Sequence, residues 1–182
     1  RDHSGMIPYS YNQHSYVLLV NEKGDSIDHV VADWFPVLNM NDHHALCLER
    51  DSFGTGNKTH MYKYAHLSLT DSLFNKSWET TITHSNIGEL RYFEKDYRGG
   101  AVIGSMLYDG VNWVEKTKVY RLDSTGSIQW TNSSNQYFTW GVKYLVNIIS
   151  DSNYIFTIEE YIRNIDTNQI VLSKYNYNGQ KL

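Results

Sequence analysis

The sequence predicts an all-β fold of short antiparallel strands, and three observations lead there. Aromatic residues are 14% of the 182 positions, with 15 Tyr and 5 Trp, and large rings suit the half-buried pleated surface of a strand. Apolar runs are short and alternate with polar residues, with no helical period. The same kind of turn also recurs: Asp42, Asp96 and Asp151, spaced by 54 and 55 residues, each open a polar turn that leads into an apolar run.

The first element of this pattern is the run after each turn: Ala45-Leu46-Cys47-Leu48, Ala101 to Leu107, and Tyr154 to Ile158. Such continuous apolarity predicts a central strand covered on both faces. The second element is an alternating strand that runs into a turn, as in Lys118-Val119-Tyr120-Arg121-Leu122-Asp123-Ser124-Thr125-Gly126. Aligning Val20, Tyr64, Leu122 and Tyr175 gives spacings of 44, 58 and 53, and Gly24, Gly126 and Gly179 each follow their aligned residue by 4. Glycine at that place supplies the positive φ of a tight hairpin. Ala65 to Leu73 lacks it and is the weakest copy. About 50 residues holding four short strands is the size of a β-propeller blade. The expected blades are 1–33, 34–83, 84–134 and 135–182, the outer strands ending in aromatics such as Trp78 and Trp130. A β-sandwich of the same strands is the alternative.

The run Asp96-x-x-Gly99-Gly100-Ala101-Val102-Ile103-Gly104, followed by Lys118 to Trp130, resembles repeats of secreted bacterial β-propellers and, more distantly, quinoprotein-like (PQQ-like) blades. The likeness spans nearly the whole chain as architecture. It implies an extracellular or periplasmic setting. Asp123 to Gly126 is one residue shorter than the quinoprotein pattern, so no cofactor is expected.

Counted in strands, residues 1–33 supply the last two of one blade and 135–182 the first three of another, leaving the arc open at both ends. An open arc exposes two apolar sheet faces. The chain is therefore expected to belong to a larger propeller, to join copies of itself near Tyr16 to Val20 and Val171 to Tyr175, or to close by itself.

The remaining composition excludes several classes. A formal charge of −4 argues against nucleic acid, whose phosphates need clustered Lys and Arg. The lone Cys47 forms no internal disulfide, and between Leu46 and Leu48 it reads as a core thiol rather than a nucleophile. No run approaches the roughly 20 apolar residues of a membrane span. His43 and His44 point to opposite faces of a strand, and His60 and His66 lie too far apart to chelate, so no metal site is expected. Asp42, Asp96 and Asp151 read as turn caps rather than calcium ligands. Glu159 and Glu160 face opposite ways in a strand running out into solvent, unlike the paired carboxylates of a glycosidase.

Aromatic and polar residues on the connections of one rim remain. These are Asp33, Trp34, His84, Trp113, Tyr137 and Trp140, with Phe138 beside them. Exposed rings suit protein or carbohydrate partners. The expected function is a non-enzymatic binding or scaffold module. The alternative is a fragment of a propeller enzyme, a quinoprotein-like oxidoreductase or a glycosidase.

Overall fold

A computed structural model of the chain describes residues 5–11, 14–20, 23, 25–31, 34–41, 44–50, 62–71, 75–108, 115–134, 142–164 and 167–182. All regular structure among them is strand. The chain divides into two compact units, Arg1–Ser52 with Tyr64–Thr83, and Phe53–Lys63 with His84–Leu182.

In the first unit, β1 (Gly5–Tyr11), β2 (His14–Val20) and β3 (Ser26–Val31) form one antiparallel sheet in chain order. Residues 1–33 thus hold three strands where two were expected. β1 and β2 lie against β4 (Trp34–Asn41), which pairs with β5 (His44–Arg50), followed by β6 (Tyr62–Asp71). Ala45, Leu46, Cys47 and Leu48 of β5 are buried together with Leu67 of β6. The next strand, β7 (Lys76–Lys95), is 20 residues long and passes from the first unit into the second.

In the second unit, β7 pairs over Gly88–Lys95 with β8 (Ala101–Tyr108), then come β9 (Glu115–Leu122) and β10 (Ile128–Ser134). A separate antiparallel sheet holds β11 (Val142–Ser150), β12 (Tyr154–Asn164) and β13 (Thr167–Asn176). Within each sheet the strands that neighbour one another in the sequence pair, as short polar turns dictate.

Turn chemistry explains the registers. Asp96 N–H donates to Gly100 O, Asp123 N–H to Ser127 O and Asn176 N–H to Gln180 O, at 2.8–3.0 Å. In each turn the side chain of the leading residue also accepts from the backbone N–H two residues on. Gly99, Gly126 and Gly179 take φ of 93, 81 and 83°, where a Cβ would clash with the backbone. The β6–β7 turn corrects the sequence alignment: Asp71 N–H donates to Asn75 O, and Asp71 Oδ1 accepts from Asn75 N–H. The residue matching Leu122 is therefore Thr70, not Tyr64, and the spacings from Val20 to Thr70, Leu122 and Tyr175 become 50, 52 and 53. Phe74 holds the glycine's place in the sequence, so the glycine signal that would have fixed this alignment was missing.

The two sheets of the second unit pack face to face through β8 and β9 against β11. Val102, Met106 and Val119 meet Leu145, Ile148, Ile155, Tyr175 and Tyr177, with Tyr92 and Trp130 at the margin. Gly104 makes the approach possible. A Cβ there would strike Leu145 Cδ2 and come within 2.8 Å of Ile148 Cδ1. The edge is fixed by polar contacts: Trp130 Nε1–H donates to Tyr177 O at 3.0 Å, and Asn132 Nδ2 to Gly179 O at 2.7 Å. Arg121 pairs with buried Asp96 at 2.6 Å, and the Arg98 and Arg121 guanidiniums stand over the Tyr177 ring at 4.4 and 5.1 Å.

Ala101 to Met106 are all buried, as expected for a strand covered on both faces. β12 differs. Ile155, Thr157, Glu159 and Tyr161 are buried, whereas Phe156, Ile158 and Glu160 are only partly covered, because among the described residues of this unit no sheet lies over its second face. The segments 101–107 and 154–158 lie in different sheets, each between two partners.

Gly104→Val forces side chains apart at a closed contact, and overpacking of this kind typically costs about 1–3 kcal/mol. Urea unfolding is expected to show a lowered midpoint for Gly104→Val and a smaller drop for Gly104→Ala; an unchanged midpoint for both would contradict the packing.

Candidate functional site

Of the residues expected at a ligand rim, Asp33, Trp113, Tyr137 and Trp140 lie outside the described residues, as does Phe138. Trp34 opens β4, paired with Glu49, and His84 sits within β7. Neither occupies a connection. The run Ile82-Thr83-His84-Ser85-Asn86-Ile87 contains no Gly or Pro to break it, so the strand continues where a loop was expected.

A different set of residues comes together in the second unit. A cleft of about 300 Å³ is lined by Asn132, Ser133 and Ser134 from β10, Glu159 and Tyr161 from β12, Val171 and Tyr175 from β13, and Lys181. Its walls come from the described edge strand β10 on one side and from β12 and β13 on the other. Lys181 is brought back to β13 by the Gly179 turn and a bridge to Tyr175.

At the cleft wall Glu159 is 5% exposed, pairs across the strands with Val171, and accepts a 2.6 Å hydrogen bond from Thr117 Oγ1. The expectation that this strand runs out into solvent is corrected here, since pairing with β13 persists to Asn164. Alternation carries Glu159 into the buried row with Ile155, Thr157 and Tyr161. Glu160 does face the other way, where it accepts from Asn168 Nδ2 at 3.2 Å.

Burial pushes the Tyr161 phenol up to about 12, and the neighbouring Glu159 charge adds to it. Tyr175 is raised for the same two reasons. Both phenols stay protonated at neutral pH and can donate, while Asn132 and the two serines offer donors and acceptors and Lys181 a cation. Trp130 stacks on Tyr175, with ring centroids 6.2 Å apart, and fixes that ring. The cleft lining combines a carboxylate, phenols, hydroxyls, an amide and a cation, groups that donate and accept hydrogen bonds.

The alternative sites resolve differently. Asp96 and Asp151 cap turns: Asp96 Oδ1 accepts from Arg98 N–H, and Asp151 Oδ1 from the N–H groups of Asn153 and Tyr154. Those bonds hold the Asp151 carboxyl below its usual range. Asp42 lies outside the described residues. Among the described residues no cluster of three His, Cys, Asp or Glu side chains could hold a metal. Cys47 is fully buried and its Sγ lies 3.6 Å from Ala45 O; burial pushes the thiol up to about 12.

No family model matches the chain, and no curated protein does. Among solved structures, the crystal structure of a protein of unknown function from Bacteroides caccae is similar at 11% identity, with a TM-score of 0.55. The match covers 100% of this chain and 56% of that one. The likeness is one of fold, and this chain spans little more than half of the matched protein's length.

Because the folded state holds the Tyr161 proton to about 12 against an ordinary 10.0, its contribution to stability is fully present below pH 10 and is lost as pH rises towards 12. Thermal unfolding across that window should show a steeper loss for the wild type than for Tyr161→Phe; equal slopes would contradict the buried phenol.

Proposed function

We propose that the chain is a run of β-propeller blades acting as a non-enzymatic binding or scaffold module, and that the Glu159 cleft is where it takes a carbohydrate. Three features support the blade reading: sequence-neighbouring strands pair in order, the same five-residue turn recurs at near-constant spacing, and one meander feeds the next without a break along β7. Propeller blades are meanders of this kind stacked face to face.

The observation that carries the binding reading is the composition of the cleft. A buried carboxylate stands beside two protonated phenols, with an amide and two hydroxyls opposite. Sugars present alternating donors and acceptors over an apolar ring face, and this mixture matches them. The volume suits one or two sugar rings. The contact is thereby assigned to the cleft rather than to the loop aromatics.

A glycan array followed by calorimetry on its best ligand tests the reading. Glu159→Gln replaces a charged acceptor with a neutral one, and such a bond is worth about 1.5–3 kcal/mol, roughly tenfold or more in affinity. Absence of glycan binding, or binding indifferent to Glu159→Gln, contradicts the proposal. Tight quinone binding with dye-linked oxidation, or glycan turnover, would favour the enzymatic alternative instead.

A further inference from the structure

Three described turns share one backbone and differ in the residue that precedes the glycine. In each, the glycine N–H donates to the carbonyl of the leading residue, Gly99 to Asp96, Gly126 to Asp123 and Gly179 to Asn176, at 2.9–3.1 Å. The preceding residues are Arg98, Thr125 and Asn178, and all are exposed. Exposure therefore goes with the position in the turn and is the same where further strands follow. Asn178–Gly179 is the only Asn-Gly pair in the 182 residues.

Among the described residues the Asn178 carboxamide has no hydrogen-bond partner, and its backbone N–H donates to Asn176 Oδ1 at 3.0 Å. A side-chain amide so placed is open to attack by the next backbone nitrogen, and glycine, with no Cβ, offers that attack the least steric resistance. The cap sets this turn apart as well. Asp96 and Asp123 cap their turns with carboxylates, whereas Asn176 uses a neutral amide, and an ionised acceptor makes such a bond roughly twice as strong. The Gly179 N–H must leave Asn176 O before its nitrogen can react. Local opening of the turn therefore gates the reaction, and this turn is the least firmly capped of the three.

We infer that Asn178 is a site of spontaneous deamidation that loosens the contact between the two stacked sheets. The Gly179 nitrogen gives up its proton and bonds to Asn178 Cγ; the Cγ–Nδ2 bond breaks, and the amide nitrogen takes up that proton and leaves as ammonia. Water then opens the cyclic imide at either carbonyl, which leaves an aspartate or an isoaspartate at position 178. The isoaspartate carries an extra carbon in the main chain just before Gly179. That carbon falls where the fit is tightest. A Cβ on Gly179 would stand 2.8 Å from Trp130 Cγ, Gly179 O accepts from Asn132 Nδ2, and Tyr177 O accepts from the Trp130 indole. The isoaspartyl chain loses these edge contacts, whereas the aspartyl product gains only a charge on an exposed side chain and keeps them.

Mass spectrometry of the full chain, held folded for weeks in mildly alkaline buffer and then digested with trypsin, tests this. The expected result is the mass gain of an amide-to-acid exchange at Asn178, with isoaspartate detected there by isoaspartyl methyltransferase labelling. Asn153, which is exposed but followed by the bulky Tyr154, should gain far less. Asn178→Thr, with the residue that the Gly126 turn carries, should abolish the gain at that position. Asn176→Ala removes the cap and should speed the gain, and Asn176→Asp strengthens it and should slow the gain. The aged chain should unfold at a lower temperature than the fresh chain, and Asn178→Asp at the same temperature as the fresh chain. No gain at Asn178, a gain no faster than at Asn153, or a rate indifferent to both Asn176 variants would each overturn the site. A modified chain that unfolds like the fresh one, or an Asn178→Asp variant as unstable as the aged chain, would overturn the effect assigned to the extra carbon.

Discussion

The second unit depends on one contact, the close approach of β11 to β8 across Gly104. Without a side chain at that position, Leu145 and Ile148 drop onto the backbone of β8, and the two sheets share one core. The remaining features follow from that distance. Trp130 reaches the carbonyl of Tyr177, the Arg121–Asp96 pair is sealed under the Tyr177 ring, and Asn132 bonds to the Gly179 turn. A buried pair such as Asp96 and Arg121 adds little net energy, yet breaking it strands a charge, so it fixes how the sheets sit more than how strongly they hold. The cleft lies along the same stacked pair, between residues of β10 and residues of β12 and β13.

Much of the fold was legible in the sequence, for stated physical reasons. All-β character followed from aromatic content and alternation. The Gly126 and Gly179 turns were readable because only glycine tolerates their backbone, and the buried run Ala101 to Met106 because both its faces are apolar. Legibility failed where a signal was replaced. Phe74 stands at the glycine's place, so the strand pattern alone aligns the second copy on Tyr64 instead of Thr70. The expected blade boundary puts His84 in a loop, although nothing in Ile82 to Ile87 breaks a strand.

The candidate site was less legible than the fold. A charged Glu159 reads as solvated because charged residues usually are, while the alternation of Ile155, Thr157, Glu159 and Tyr161 already puts it in a buried row. Asn132, Tyr175 and Lys181 come from three different stretches, and only the sheet-on-sheet packing brings them together. No spacing in the sequence announces such a site.

The central claim is that β7–β10 and β11–β13 are stacked sheets sharing one core, and hydrogen exchange followed amide by amide tests it most directly. Amides that open only with the whole core exchange together, at the free energy of global unfolding. The account predicts that the paired amides of β8, β9 and β12 exchange at one common slow limit, and that Gly104→Val accelerates them together. Fast, independent exchange of β11–β13 while β8 and β9 stay protected would contradict it.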